Sequence, residues 1–83
     1  MFTVYAIQSQ STERIYIGQT KDLNKRIQYH NSGYVKSTSR DRPWVLIAFV
    51  RVRTSNEARW TERELKKSRG KRIKWIEQNR LVK

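Results

Sequence analysis

The sequence predicts an α+β domain, a three-stranded antiparallel sheet flanked by helices, in the order ββαβα followed by a C-terminal helix. Three observations carry that prediction. Two β-branched and aromatic stretches near the N-terminus are separated by Ser9-Gln10-Ser11-Thr12-Glu13, a polar connector of hairpin length. A long apolar run, Trp44 to Val52, follows a polar loop. Around these stretches the pattern changes from alternation to helical periodicity, with capping side chains at the changes. With 83 residues the chain has room for one domain, and residues 1–83 are read as a single one.

Taken in order, Phe2 to Gln8 alternates as a strand does, and Arg14 to Gln19 is its antiparallel partner across the connector. Thr20-Lys21-Asp22 offers capping side chains to a helix over Leu23 to Asn31, and Gly33 supplies the left-handed residue that ends it. Ser32 to Pro43 reads as a polar, basic loop. Trp44 to Val52 is apolar almost throughout, which predicts a strand buried on both faces at the centre of the sheet. Thr54 with Glu57 three residues on is a capping-box signature for a helix reaching Lys67. Gly70 is expected to break the chain there, with a last helix over Lys71 to Asn79.

Charge narrows the function. The chain holds 19 Lys or Arg against 7 Asp or Glu, a net charge of +12 with its one His neutral. The implied partner is polyanionic, nucleic acid before an anionic membrane surface. Three Trp, four Tyr and two Phe argue for a folded chain. With no Cys, disulfides, thiolate catalysis and Cys-based zinc sites are excluded. A single His excludes a multi-histidine metal site within one chain. No apolar run approaches the roughly 18 residues that cross a bilayer, and the N-terminus lacks the pattern of a signal peptide. A soluble intracellular protein with no membrane partner is expected. Lys66 to Lys74 holds six basic residues among nine and no acid. Lys66, Lys67, Arg69, Lys71 and Arg72 there are candidates for sequence-independent contact with phosphates.

A few polar residues sit where helical periodicity calls for apolar ones. Counting from Leu23 at about 100° per residue, Ile27, His30 and Arg26 all lie within about 60° of it. Arg26 and His30 thus share the face that Leu23 and Ile27 turn toward the sheet. Counting from Ala58, Glu62 lies about 40° away and Leu65 about 20°. A carboxylate on that face needs a cation, either a side chain such as Arg26 or a metal ion. A purely structural Arg26–Glu62 ion pair would satisfy the same pattern. On the strands, Tyr5 shares a face with Thr3 and Ile7, and Tyr16 shares one with Gly18. A strand glycine marks close approach of a backbone or a ligand. Trp60, opposite the Ala58–Leu65 face, is expected to pack on the last helix with Trp75, or else to offer a stacking surface.

Val4-Tyr5-Ala6 followed by Tyr16-Ile17-Gly18-Gln19-Thr20-Lys21-Asp22-Leu23-Asn24-Lys25-Arg26-Ile27, then His30-Asn31-Ser32-Gly33, resembles the GIY-YIG nuclease superfamily. The likeness resumes at Lys36, Thr38, Pro43-Trp44, Leu46, Glu57-Ala58, Glu62 and Leu65-Lys66. Its spacing is similar to that of small stand-alone bacterial members, which look like the N-terminal catalytic domain of the excision-repair nuclease UvrC. The first triplet keeps only Tyr5, and Ser37 stands where such members often have Tyr.

The resemblance implies phosphodiester hydrolysis with one divalent cation, Mg²⁺ or Mn²⁺, on duplex, single-stranded or branched DNA, in repair or processing. By position, Glu62 would be the metal ligand and Arg26 the group stabilising phosphoryl charge. Tyr5, Tyr16 and His30 are the candidates for handling the proton of the attacking water, and their identity alone does not choose among them. Gly18 would allow close approach at the cleft floor, and Lys36 or Thr38 could touch the DNA backbone. The alternative is a non-catalytic nucleic-acid-binding module that keeps the fold, and a protein partner is compatible with either.

Overall fold

The structure, a computed structural model, describes residues 1–81. Its elements are β1 (Phe2–Ser9), β2 (Ile15–Thr20), α1 (Leu23–Ser32), a single 3₁₀ turn (Ser39–Asp41), β3 (Trp44–Val52), α2 (Ser55–Lys67) and α3 (Arg69–Asn79). The predicted fold class and element order are those observed.

The strand order is not the one the apolar run suggested. The sheet runs β2-β1-β3, antiparallel throughout, with β1 in the middle. β1 earns that place through its unbroken buried stretch Val4, Tyr5, Ala6 and Ile7, whose neighbours cover both faces. β3 is an edge strand, and its Val45 is 41% exposed. Its apolar length has another cause. α3 packs against it, and the chain beyond α3 covers its outer edge. Ala48 bridges to Arg80, and the Leu81 N–H donates to the Ile47 carbonyl at 3.0 Å. A short cover of this kind removes the hazard of an open sheet edge.

Alternation along the strands builds two unlike layers. On one face Val4, Ala6, Ile17 and Ala48 meet Ala58 and Leu65 of α2 and Ile76 of α3, all buried and all apolar. On the other, Tyr5, Ile7 and Trp44 pack with Tyr16, Leu23, Ile27, Leu46 and Phe49 beneath α1. Full burial of a Val, Leu or Ile contributes about 1.5–3 kcal/mol, so the α2–α3 layer supplies much of the stability. The register between β1 and β3 shifts after Ala6, which opposes Ala48 while Ile7 opposes Leu46. Ile47 is the extra residue of a bulge.

Caps set the helix ends. Asp22 accepts from the Lys25 N–H at 3.1 Å and Thr54 from the Glu57 N–H at 3.1 Å. Gly33, at φ +90°, ends α1. The break between α2 and α3 falls at Ser68 rather than at Gly70. The Ser68 hydroxyl accepts from the Lys71 N–H, and its own N–H donates to the Glu64 carbonyl, so one serine closes one helix and opens the next. Gly70 lies in the first turn of α3, where backbone N–H groups have no partner within the helix. The helix therefore starts at Arg69, two residues before the expected Lys71.

Candidate active site

The layer beneath α1 contains polar groups that the opposite layer lacks. Tyr5 is 2% exposed, His30 1% and Thr38 0%. The Tyr5 hydroxyl lies 2.9 Å from His30 Nε2, and His30 Nδ1 lies 2.9 Å from Thr38 Oγ1. One placement of the protons satisfies every bond in this chain and gives it a direction. Thr38 Oγ1 donates its only proton to the Val35 carbonyl at 3.2 Å, so it accepts from His30 Nδ1–H. A neutral imidazole with its proton on Nδ1 has a lone pair on Nε2, so Tyr5 O–H donates to Nε2. The line runs Tyr5 to His30 to Thr38 to Val35.

Neighbouring bonds hold it in place. Trp44 donates its indole N–H to the Thr38 carbonyl at 2.8 Å. Asn31 bonds both backbone groups of Trp44: its Oδ1 accepts from the Trp44 N–H at 2.6 Å, and its Nδ2 donates to the Trp44 carbonyl at 3.1 Å. α1 is thereby pinned to the first residue of β3. Arg14 and Thr12 both donate to Asp41, at 2.8 and 3.0 Å, which ties the Thr38 loop to the hairpin.

Thr38 is thus buried and bonded to His30, and its side chain does not reach the surface where the expected contact with a DNA backbone would be made. The close approach at Gly18 is likewise internal. Gly18 faces Tyr5 across the β1–β2 ladder, and a Cβ there would stand 2.5 Å from the Tyr5 hydroxyl oxygen and 2.6 Å from Cζ. The space predicted for a substrate holds the Tyr5 phenol.

Tyr16, half-buried, completes the group, its ring centroid 5.0 Å from that of His30. Lys66 reaches around the β2 edge from α2 and places its ammonium 5.3 Å from the centre of the Tyr16 ring. The same ammonium pairs with Glu62 at 2.7 Å. Glu62 therefore has Lys66 as its cation, and the structural Arg26–Glu62 pair does not form. Among the described residues Arg26 pairs with no carboxylate. Nor is Arg26 turned inward as its place on the helix suggested. It is exposed, because a long stem lets the guanidinium reach water from a position beside Ile27.

Arg26 and Glu62 both act on the buried pair. Burial, then Tyr16, pushes the Tyr5 phenol well above its ordinary 10.0, with Glu62 adding to the rise and Arg26 opposing it. Burial, then Arg26, pushes His30 below its ordinary 6.5. At neutral pH the pair is an uncharged phenol donating to an uncharged imidazole. Tyr5, Tyr16, Arg26, His30 and Glu62, far apart in sequence, meet in one region.

The family model of the GIY-YIG catalytic domain matches residues 1–76. The chain belongs to the GIY-YIG nuclease superfamily. No curated protein and no solved structure matches it significantly. GIY-YIG nucleases act on DNA and in general use divalent metal ions.

Among the described residues no three His, Asp or Glu converge on one point. Glu62 is the one carboxylate of a groove lined by Arg59, Arg63, Lys66 and Lys67. A lone carboxylate fits Mg²⁺, which keeps several waters and takes substrate phosphate oxygens to complete its shell. Lys66 must then share or release Glu62. Of the basic stretch, Lys67 and Arg69 are exposed. Lys71 pairs with Glu64 at 2.8 Å, and Arg72 donates to the Leu65 carbonyl at 3.3 Å. Lys36 is exposed on the loop before Thr38. Trp60, 61% exposed, lines a groove with Trp75 and packs only in part. The Asn31–Trp44 bonds have one signal in the sequence: Asn31 follows His30 in the resemblance, and an Asn at a helix end can bond a neighbouring backbone. No helix among the described residues is long and apolar enough to cross a membrane.

Proposed function

We propose that this chain is a divalent-metal-dependent DNA endonuclease, similar to the catalytic domain of UvrC, in which Glu62 binds the metal and the Tyr5–His30 pair receives the proton of the attacking water. The observation that carries this reading is the directed line Tyr5 to His30 to Thr38, bordered by Arg26 and Glu62. A core that only needed to be stable would be served as well by apolar side chains there.

Tyr5 gives up a proton poorly by itself. Held against a neutral His30, it can pass its proton to Nε2 as it takes one from water, so no isolated phenolate forms in a buried place. Thr38 fixes the imidazole with its lone pair toward Tyr5, and Arg26 stabilises the phosphoryl oxygens. Tyr16 borders the same point at the substrate side. Bound at Glu62, the metal would supply Lewis-acid stabilisation at the scissile phosphate. Exposed Lys36, Lys67 and Arg69 give salt-sensitive hold on the backbone. A place in DNA repair and in the cytoplasm accords with the UvrC likeness.

The test is relaxation of supercoiled plasmid by the pure protein with Mg²⁺ or Mn²⁺. Glu62→Ala is expected to lose nicking by at least about 100-fold while keeping its melting temperature and its DNA affinity in EDTA. Undiminished nicking by this variant removes Glu62 from the metal site. A wild-type protein that binds DNA tightly but never nicks it, with either metal, favours the non-catalytic module, for which the Lys66–Glu62 pair is the supporting observation.

A further inference from the structure

Two tyrosines at the end of α1 take no part in the proton line. Tyr29 is 45% exposed and Tyr34 is 81% exposed. Their rings meet edge to face, 6.2 Å between centroids at 77°. The local chain holds them there. Gly33 turns the backbone at φ +90°, and the Ser32 hydroxyl donates to the Tyr29 carbonyl at 2.7 Å and accepts from the Tyr34 N–H at 3.4 Å. A contact that merely closed the helix would bury the second ring against the first. Here most of Tyr34 stays in water.

The surface around the pair leads to the site. A groove of about 270 Å³ is formed by Lys25, Gln28, Tyr29, Ser32 and Tyr34. The adjoining groove, about 250 Å³, is formed by Thr20, Lys21, Asp22, Lys25, Arg26 and Tyr29. Sharing Lys25 and Tyr29, the two make one path from Tyr34 to Arg26. Its charge is that of Lys21, Lys25 and Arg26, against a single carboxylate, Asp22, already occupied in capping α1. Arg26 and Tyr29, three residues apart on α1, are neighbours on the helix surface and line the same groove. A strand whose phosphate meets Arg26 therefore runs past the exposed rings. In a duplex the base faces are hidden.

We propose that the exposed Tyr34 ring, braced edge to face by Tyr29, stacks an unpaired nucleobase near the phosphate held by Arg26, so that the preferred DNA is single-stranded or frayed beside the bond to be cut. The position of that bond rests on the nuclease reading, whereas the stacking does not.

The experiment is therefore a binding one, run in EDTA by fluorescence anisotropy with a fluorescein-labelled oligo-dT and the same oligonucleotide made abasic. The wild type is expected to bind oligo-dT about tenfold more tightly than its abasic counterpart. Tyr34→Leu and Tyr29→Leu, which keep an apolar contact at the helix end, should bring the two affinities within about twofold. Tyr34→Phe should preserve the difference. The proposal fails if the wild type binds both probes equally. It fails too if the difference survives in the folded Tyr29→Leu/Tyr34→Leu double variant, or if Trp60→Ala removes it. A protein that never nicks plasmid leaves these outcomes unchanged, so the two readings fail separately.

Discussion

The two faces of the sheet are made by the same strands and differ in what fills them. Val4 and Ala6 point to the α2–α3 layer and Tyr5 and Ile7 to the α1 layer. The first layer buries only apolar side chains. The second buries a phenol, an imidazole and a threonine hydroxyl, and every one of them is bonded. Division of labour by alternation lets an 83-residue chain keep a stable core one residue away from its reactive groups. Damage to one layer should therefore affect stability, and damage to the other should affect chemistry.

The largest stability effect is expected at Leu65→Ala. A buried Leu (4% exposed) replaced by Ala costs about 2–5 kcal/mol, read by urea or thermal unfolding, while nicking per folded molecule stays near wild type. If that specific activity collapses along with stability, the layers are not independent. Thr38→Val is a smaller and sharper probe. It keeps the shape and removes the acceptor of His30 Nδ1–H, at a cost of about 1–3 kcal/mol. The imidazole loses its fixed tautomer, and nicking should fall by about tenfold or more, well beyond what unfolding explains. Equal activity of Thr38→Val and wild type would leave Thr38 a packing residue.

The mildest probe is pH. His30 is held below its ordinary 6.5 in the fold, so between that value and its lower folded one the unfolded chain binds the extra proton. Stability then falls as pH drops below about 6.5 and is fully present above it. In a His30→Gln variant this part of the thermal-melt profile should flatten. An unchanged acid slope would assign it to other groups.

Much of this could be read in the sequence, and what escaped did so for identifiable reasons. Helix caps at Asp22 and Thr54 and the shared face of Leu23, Ile27 and His30 are local, and local patterns carry them. Strand order is not local. The apolar run of β3 reflects cover by α3 and by Arg80 and Leu81, and hydrophobicity cannot tell such an edge from a centre. Thr38 lies in a loop eight residues from His30, and no periodicity links a loop hydroxyl to a helix face. Spacing puts Arg26 on the face of Ile27 and His30, but its long side chain carries the charge outward. Glu62 found its cation one turn along its own helix, at Lys66, where spacing alone would have put it.

The proton line is tested most directly by Mg²⁺-dependent plasmid nicking of Tyr5→Phe beside the wild type, with unfolding curves of both. Phe keeps the ring against Gly18 and removes only the hydroxyl that donates to His30. The variant should stay folded, within about 1–3 kcal/mol of wild type, bind DNA equally well, and nick at least about 100-fold more slowly. Nicking at the wild-type rate by folded Tyr5→Phe would contradict the relay and leave Tyr5 as core.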